Sequence, residues 1–132
     1  MVIMDGDTTP NDIMLVNRTI FLVDDDEAVC HALSMLLESS GFNVMTFLCA
    51  ETFLEMEEGA MEGILLLDQH MKGMTGLELQ AELSRRGIAI PIIFITGLMD
   101  EQIHVEAVKA GAINVLKKPF SNEDLLESIR VI

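Results

Sequence analysis

Apolar residues in this chain come in two rhythms. Unbroken runs stand at Thr19 to Val23 (T-I-F-L-V), Ile64 to Leu67 (I-L-L-L) and Pro91 to Ile95 (P-I-I-F-I). A short apolar run bounded by turn residues predicts a strand buried on both faces. Between the runs, apolar positions recur every three or four residues. Val29, Ala32, Leu33 and Leu36 do so within Ala28 to Leu37, and Leu79 and Leu83 within Leu77 to Arg86. These segments predict helices, with further ones over Ala50 to Glu58, Glu101 to Ala110 and Ser121 to Ile132. Asp26 and Ser121 are placed to cap helix starts, and Gly41, Gly87 and Gly111 to end helices. Two weaker strand patterns remain. Asn43 to Phe47 alternates, with Val44 opposite Met45 and Phe47. Ile113 to Leu116 carries the polar Asn114.

Strand and helix therefore alternate five times, the signature of an α/β doubly wound parallel sheet. The continuously apolar strands one, three and four belong at its centre. Strands two and five, with polar positions, belong at its edges. This gives the flavodoxin-like (βα)5 order 2-1-3-4-5. Residues 1–17 are too mixed to join the pattern. They predict a loose leader with a short helical turn at Asp12 to Val16, ahead of one domain over residues 18–132.

In a parallel sheet the carboxyl ends of all strands lie on one side. Asp24 and Asp25 then meet Asp68, Thr96 and Lys118 around one crevice, where strands one and three form the topological switch point. Taken singly, each residue has an ordinary reading. Asp24 to Asp26 is either a helix cap with two solvated neighbours or a ligand cluster. Asp68 is either a turn residue or a nucleophile or metal ligand. Thr96 either closes a strand or donates a hydrogen bond, and Lys118 is either a surface lysine or a phosphate partner. Their meeting at one predicted edge favours the chemical readings. Three close carboxylates resist ionisation together unless a cation is present. All-oxygen donors favour magnesium, and no Cys or His stands at the spacing zinc needs. A magnesium, an ammonium, a hydroxyl and a free Asp suit phosphoryl transfer, with Asp68 attacking to give an aspartyl phosphate.

Charge and composition narrow the partners. Eight basic residues against 22 acidic ones give a net charge of −14, which opposes direct nucleic-acid binding by this chain. Cys30 and Cys49 do not make a disulfide framework and read as free thiols of a reducing compartment. With neither a membrane-length apolar run nor a basic leader before one, the expected location is the cytoplasm. His31 and His104 fall in helical patterns as exposed or half-exposed polar residues, and the ten methionines read as core and loop filling.

The chain resembles the receiver domain of bacterial two-component response regulators over about Arg18 to Ile132. The resemblance is carried by L-V-D-D-D-E (Leu22 to Glu27), L-L-L-D-Q-H-M (Leu65 to Met71) with Met74 and Gly76, F-I-T-G (Phe94 to Gly97), A-G-A (Ala110 to Ala112) and K-K-P-F (Lys117 to Phe120). It implies that Asp68 is the phospho-acceptor and that Asp25 ligates magnesium directly, with Asp24 acting largely through water. The backbone carbonyl of His70 is implied as a third protein ligand, Thr96 as the switch hydroxyl and Lys118 as the phosphate-pairing lysine. It also implies a cis Lys118–Pro119 bond, a sensor histidine kinase as phosphoryl donor and a second receiver as a candidate partner. The T-G and K-P-F endings resemble receivers of the nitrogen-fixation and LuxR-like transcriptional group, whose separate output domain binds DNA.

Two positions depart from the family. Lys72 stands where most receivers have Pro, and Val115 where the switch aromatic stands. Val115 cannot report phosphorylation by ring rotation, so coupling to the face of the fourth helix, fifth strand and fifth helix is expected to be weaker or to run through loop motion. His70 is expected to overhang the site and to influence hydrolysis. Because the chain stops inside an apolar stretch, it reads as a receiver cut from its output segment. The competing readings are a degenerate receiver acting as a constitutive interaction module, and a flavin-binding or phosphatase protein of similar topology. The second lacks Trp, Tyr and a glycine-rich phosphate loop.

Overall fold

The computed structural model describes residues 18–97 and 101–132. The leader, with the helical turn expected at Asp12 to Val16, lies outside the described residues. Five strands, β1 (Thr19–Val23), β2 (Asn43–Phe47), β3 (Ile64–Asp68), β4 (Ile92–Thr96) and β5 (Asn114–Lys117), form one parallel sheet in the order β2-β1-β3-β4-β5. Five helices, α1 (Glu27–Ser39), α2 (Ala50–Leu54), α3 (Gly76–Arg85), α4 (Glu101–Lys109) and α5 (Asn122–Arg130), connect the strands and cover the sheet. This is the expected flavodoxin-like fold.

The unbroken apolar runs are explained by two cores. Along β3, Ile64 and Leu66 face one side while Leu65 and Leu67 face the other, and all four are fully buried. Ile64 and Leu66 pack with Cys30 and Leu37 of α1 and with Leu125 and Ile129 of α5. Leu65 and Leu67 pack with Phe53 of α2, Leu79 and Leu83 of α3 and Ala107 of α4. A central strand thus needs apolar side chains at every position, and each buried side chain contributes roughly 1.5–3 kcal/mol of transfer free energy. The edge strand β2 buries only Phe47 and exposes Asn43, Met45 and Thr46, as its mixed pattern predicts.

Local signals fix the ends of most elements. The Asp26 carboxylate accepts from the backbone N–H groups of Ala28 and Val29, and the Ser121 hydroxyl accepts from Asp124. At α3 a full capping box forms. The Thr75 hydroxyl accepts from the Glu78 N–H, and the Glu78 carboxylate accepts from the Thr75 N–H.

The clearest difference from expectation is α2. It ends at Leu54 instead of running to Glu58, and a 3₁₀ turn follows at Glu58–Ala60. Glu55 and Met56 donate three residues back, to Thr52 and Phe53, which tightens and ends the helix. Glu55, Glu57 and Glu58 crowd the helix end where the macrodipole is negative. Smaller differences carry β4 one residue further, so that Thr96 belongs to the strand, and start β5 at Asn114.

Gly76 lies where α3 leaves the β3 end. A Cβ there would sit 2.6 Å from the Asp68 carbonyl oxygen and 2.9 Å from a ring carbon of Phe94. Gly76→Ala is therefore expected to destabilise the fold by about 1–3 kcal/mol, measured as a lower urea midpoint.

Candidate functional site

The parallel register gathers the polar residues. Asp68 ends β3 and pairs with Ile95, one residue before Thr96 in the neighbouring strand. Asp24 and Asp25 follow β1 directly, and Lys118 follows β5. The Lys118 N–H donates to the Thr96 carbonyl at 2.7 Å, extending the β4–β5 pairing one residue past β5. The Lys118–Pro119 bond is cis, as the resemblance implied.

Side chains converge from three strand ends. Carboxylate oxygens of Asp24, Asp25 and Asp68 lie within 4.8 Å of one another. Asp24 is fully buried and Asp68 is 5% exposed, whereas Asp25 faces solvent. The Lys118 Nζ lies 2.6 Å from Asp24 Oδ2 and 3.4 Å from Asp68 Oδ1. Asp24 is further fixed by its neighbours. Its Oδ1 accepts from the Asp26 N–H at 2.9 Å, its own N–H donates to Phe47, and its carbonyl accepts from the Cys30 thiol. Thr96 is 1% exposed at the end of β4.

The electrostatics follow from this geometry. Burial first, then the Asp24 carboxylate, push the Asp68 carboxyl up to about 6, although Lys118 pulls the other way. Burial alone would lower the Lys118 ammonium, but its bonds and attraction to Asp24 and Asp68 outweigh it and hold the ammonium above its ordinary value. Burial beside Asp24 and Asp26 drives the Cys30 thiol to about 11, so it stays protonated and unreactive. Two buried carboxylates facing one ammonium, with a third carboxylate at the mouth, form an all-oxygen donor set short of positive charge. Such a set suits a hard divalent cation that keeps several waters.

The sequence-predicted residues Asp24, Asp25, Asp68 and Lys118 are thus brought together, with Thr96 at the adjacent strand end. His70 was expected to overhang the site. It is exposed on the loop after β3, and its ring makes no hydrogen bond or ion pair with the site among the described residues. His31 is exposed and His104 half-buried, as their patterns predicted, and both cysteines are free. Val115 is buried in the core cluster that contains Phe94. Sequence reasoning missed Gln69, whose side chain accepts from the Leu77 N–H at 2.8 Å and ties the loop after Asp68 to α3. It also missed Glu51, which accepts from the Met74 N–H across that loop.

Comparison with known proteins agrees with this geometry. The family profile described as the response regulator receiver domain matches residues 20–130. The chain belongs to that family and is a module of two-component signalling. It is 41% identical over 111 residues to the transcriptional regulatory protein TdiR of Thauera aromatica, covering 84% of this chain and 49% of that protein. It is 48% identical over 111 residues to the response regulator protein TmoT of Ectopseudomonas mendocina, covering 84% and 50%. The crystal structure of FixJ-N superposes with a TM-score of 0.80 at 39% identity, covering 86% of this chain and 90% of that one. The chain spans about half the length of the curated relatives it matches.

A proton on Asp68 is held more tightly in the folded chain than in the unfolded one, where the ordinary value is 3.8. The stability this contributes is full below pH 3.8 and is lost as pH rises through about 6. Asp68→Asn removes the cost of the buried charge. Without divalent ions it is expected to be more stable than the parent at pH 7.5, by up to about 3 kcal/mol. The gap should close toward pH 4 in urea titrations run across that range.

Proposed function

We propose that Asp68 accepts a phosphoryl group from a sensor histidine kinase, with magnesium held by Asp24, Asp25, Asp68 and the backbone carbonyl of His70. The observation that carries this reading is the convergence of three carboxylates within 4.8 Å on an ammonium that reaches two of them. Magnesium bound there supplies charge neutralisation for the transferring oxygens. The chain's own residues do the rest. Asp68, with its carboxyl at about 6, is ionised at cytoplasmic pH and attacks phosphorus. The donor's phosphorus–nitrogen bond breaks, its electron pair stays on the imidazole, and a bond from phosphorus to an Asp68 oxygen forms. Lys118 stands 3.4 Å from Asp68 and pairs with the incoming phosphoryl oxygens. The Thr96 hydroxyl donates to the new group.

The added charge shifts a two-state equilibrium. Its readout is the face of α4, β5 and α5; Val105 and Val108 of α4 are exposed, as are Ile113 just before β5 and Val131 just after α5. A second receiver is the partner we assign to it. In the whole protein the output is transcriptional, through a domain beyond this chain. With buried Val115 in place of an aromatic ring, coupling to that face is weaker or runs through loop motion rather than ring rotation. The location is the cytoplasm, consistent with the finding that no described helix is long and apolar enough to cross a membrane.

Intact mass after incubation with acetyl phosphate tests the reading. The parent should gain one phosphoryl group with magnesium and none without it, and Asp68→Asn should gain none. Asp25→Asn should weaken magnesium binding at least tenfold, about 1.4 kcal/mol. A folded parent that never gains the group would instead be a phosphorylation-independent interaction module.

A further inference from the structure

The loop from Gln69 to Thr75 leaves Asp68 and leads into α3, so its course sets what surrounds the acceptor. Its two ends are tied from within. Gln69 holds the Gly76 N–H through its carbonyl and the Leu77 N–H through its side chain, and Thr75 is locked in the capping box. Met71 is anchored by burial. At the apex, Lys72 to Met74, only the Met74 side chain has such support, partly buried against the core. Lys72 and Gly73 are exposed, and glycine places little restriction on its own backbone.

The apex is held from outside, by α2. Glu51 lies in the first turn of that helix, 23 residues earlier, and its Oε2 accepts the Met74 N–H at 3.1 Å. A second feature keeps this contact open. Gly73 has φ +75, and a Cβ there would stand 2.7 Å from the same Oε2. The residue beside the bond thus lacks the one atom that would push the carboxylate away. A carboxylate accepting a backbone N–H is among the stronger hydrogen bonds available to an exposed side chain. Because α2 follows β2, its first turn lies at the same sheet edge as Asp68.

We propose that Glu51 is a positioning residue that latches the β3–α3 loop, and with it the His70 carbonyl, in place beside Asp68. This rests on the phospho-acceptor reading of Asp68. Glu51 touches neither the phosphoryl group nor the metal; it acts through the loop backbone. Being exposed, it can be changed without opening the core.

The test compares Glu51→Ala, which removes the acceptor, with Glu51→Gln, which keeps it. Amide hydrogen exchange in magnesium-free protein reads the latch itself. Exchange at Met74 should quicken about threefold to tenfold in Glu51→Ala and stay within about twofold in Glu51→Gln. Calorimetric titration with magnesium chloride should show a loss of affinity of about threefold to tenfold in Glu51→Ala alone. The phosphoryl lifetime after acetyl phosphate treatment should change in that variant too, with the melting temperature held. Unchanged exchange and affinity in Glu51→Ala, beside a parent that binds magnesium and takes the phosphoryl group, would overturn the latch and leave the acceptor reading intact. A parent that does neither would overturn both.

Discussion

Asp24 is fully buried and Asp68 nearly so, yet both carboxylates face a single ammonium, that of Lys118, at 2.6 and 3.4 Å. Burying a charge is costly unless it is paired and hydrogen-bonded. Asp24 meets that condition through Lys118 and the Asp26 N–H. Asp68 meets it only in part, and its raised carboxyl is the physical sign of the shortfall. The ends of β1, β3 and β5 are bound together by this arrangement, because moving any one of them strands a buried charge. The same shortfall makes the pocket receptive to a divalent cation and, beside it, to a phosphoryl group.

The sheet makes the arrangement cheap to specify. Parallel pairing puts every strand's carboxyl end at one edge, and the register sets Asp68 level with Ile95 and Thr96 level with Lys117. Two apolar layers then hold the strands rigidly. Fully buried residues such as Phe21, Leu65 and Phe94 lie on one face, and Ile20, Leu66 and Ile93 on the other. Around this frame the loops are tied by short polar contacts. Gln69 braces the exit from β3, and Gln80 spans from α3 to the Ala107 carbonyl of α4 at 3.0 Å.

Much of this was legible in the sequence, for reasons particular residues make plain. Ile64 to Leu67 and Ile92 to Ile95 announce central strands, because a strand covered on both faces admits no polar position. Asp24, Asp25, Asp68, Thr96 and Lys118 were legible as a group, because the topology alone brings strand ends together. The length of α2 was not, since its end depends on i→i−3 bonds and on acids at the wrong pole, and neither has a period. The direction of the His70 ring was not, because a residue two steps past the strand end points wherever the loop takes it. The contact between Glu51 and Met74 leaves no trace in spacing or composition. It joins a short edge helix to a loop apex 23 residues away and exists only in three dimensions.

The site depends on Asp68 being short of positive charge, and the most direct measurement is its own ionisation. Carbon-13 NMR of the Asp68 carboxyl, titrated with and without magnesium, reads it at one atom. We predict a midpoint near the value of about 6 set by burial and Asp24, falling well below it when magnesium is present. An ordinary carboxylate midpoint that magnesium does not move would contradict the account.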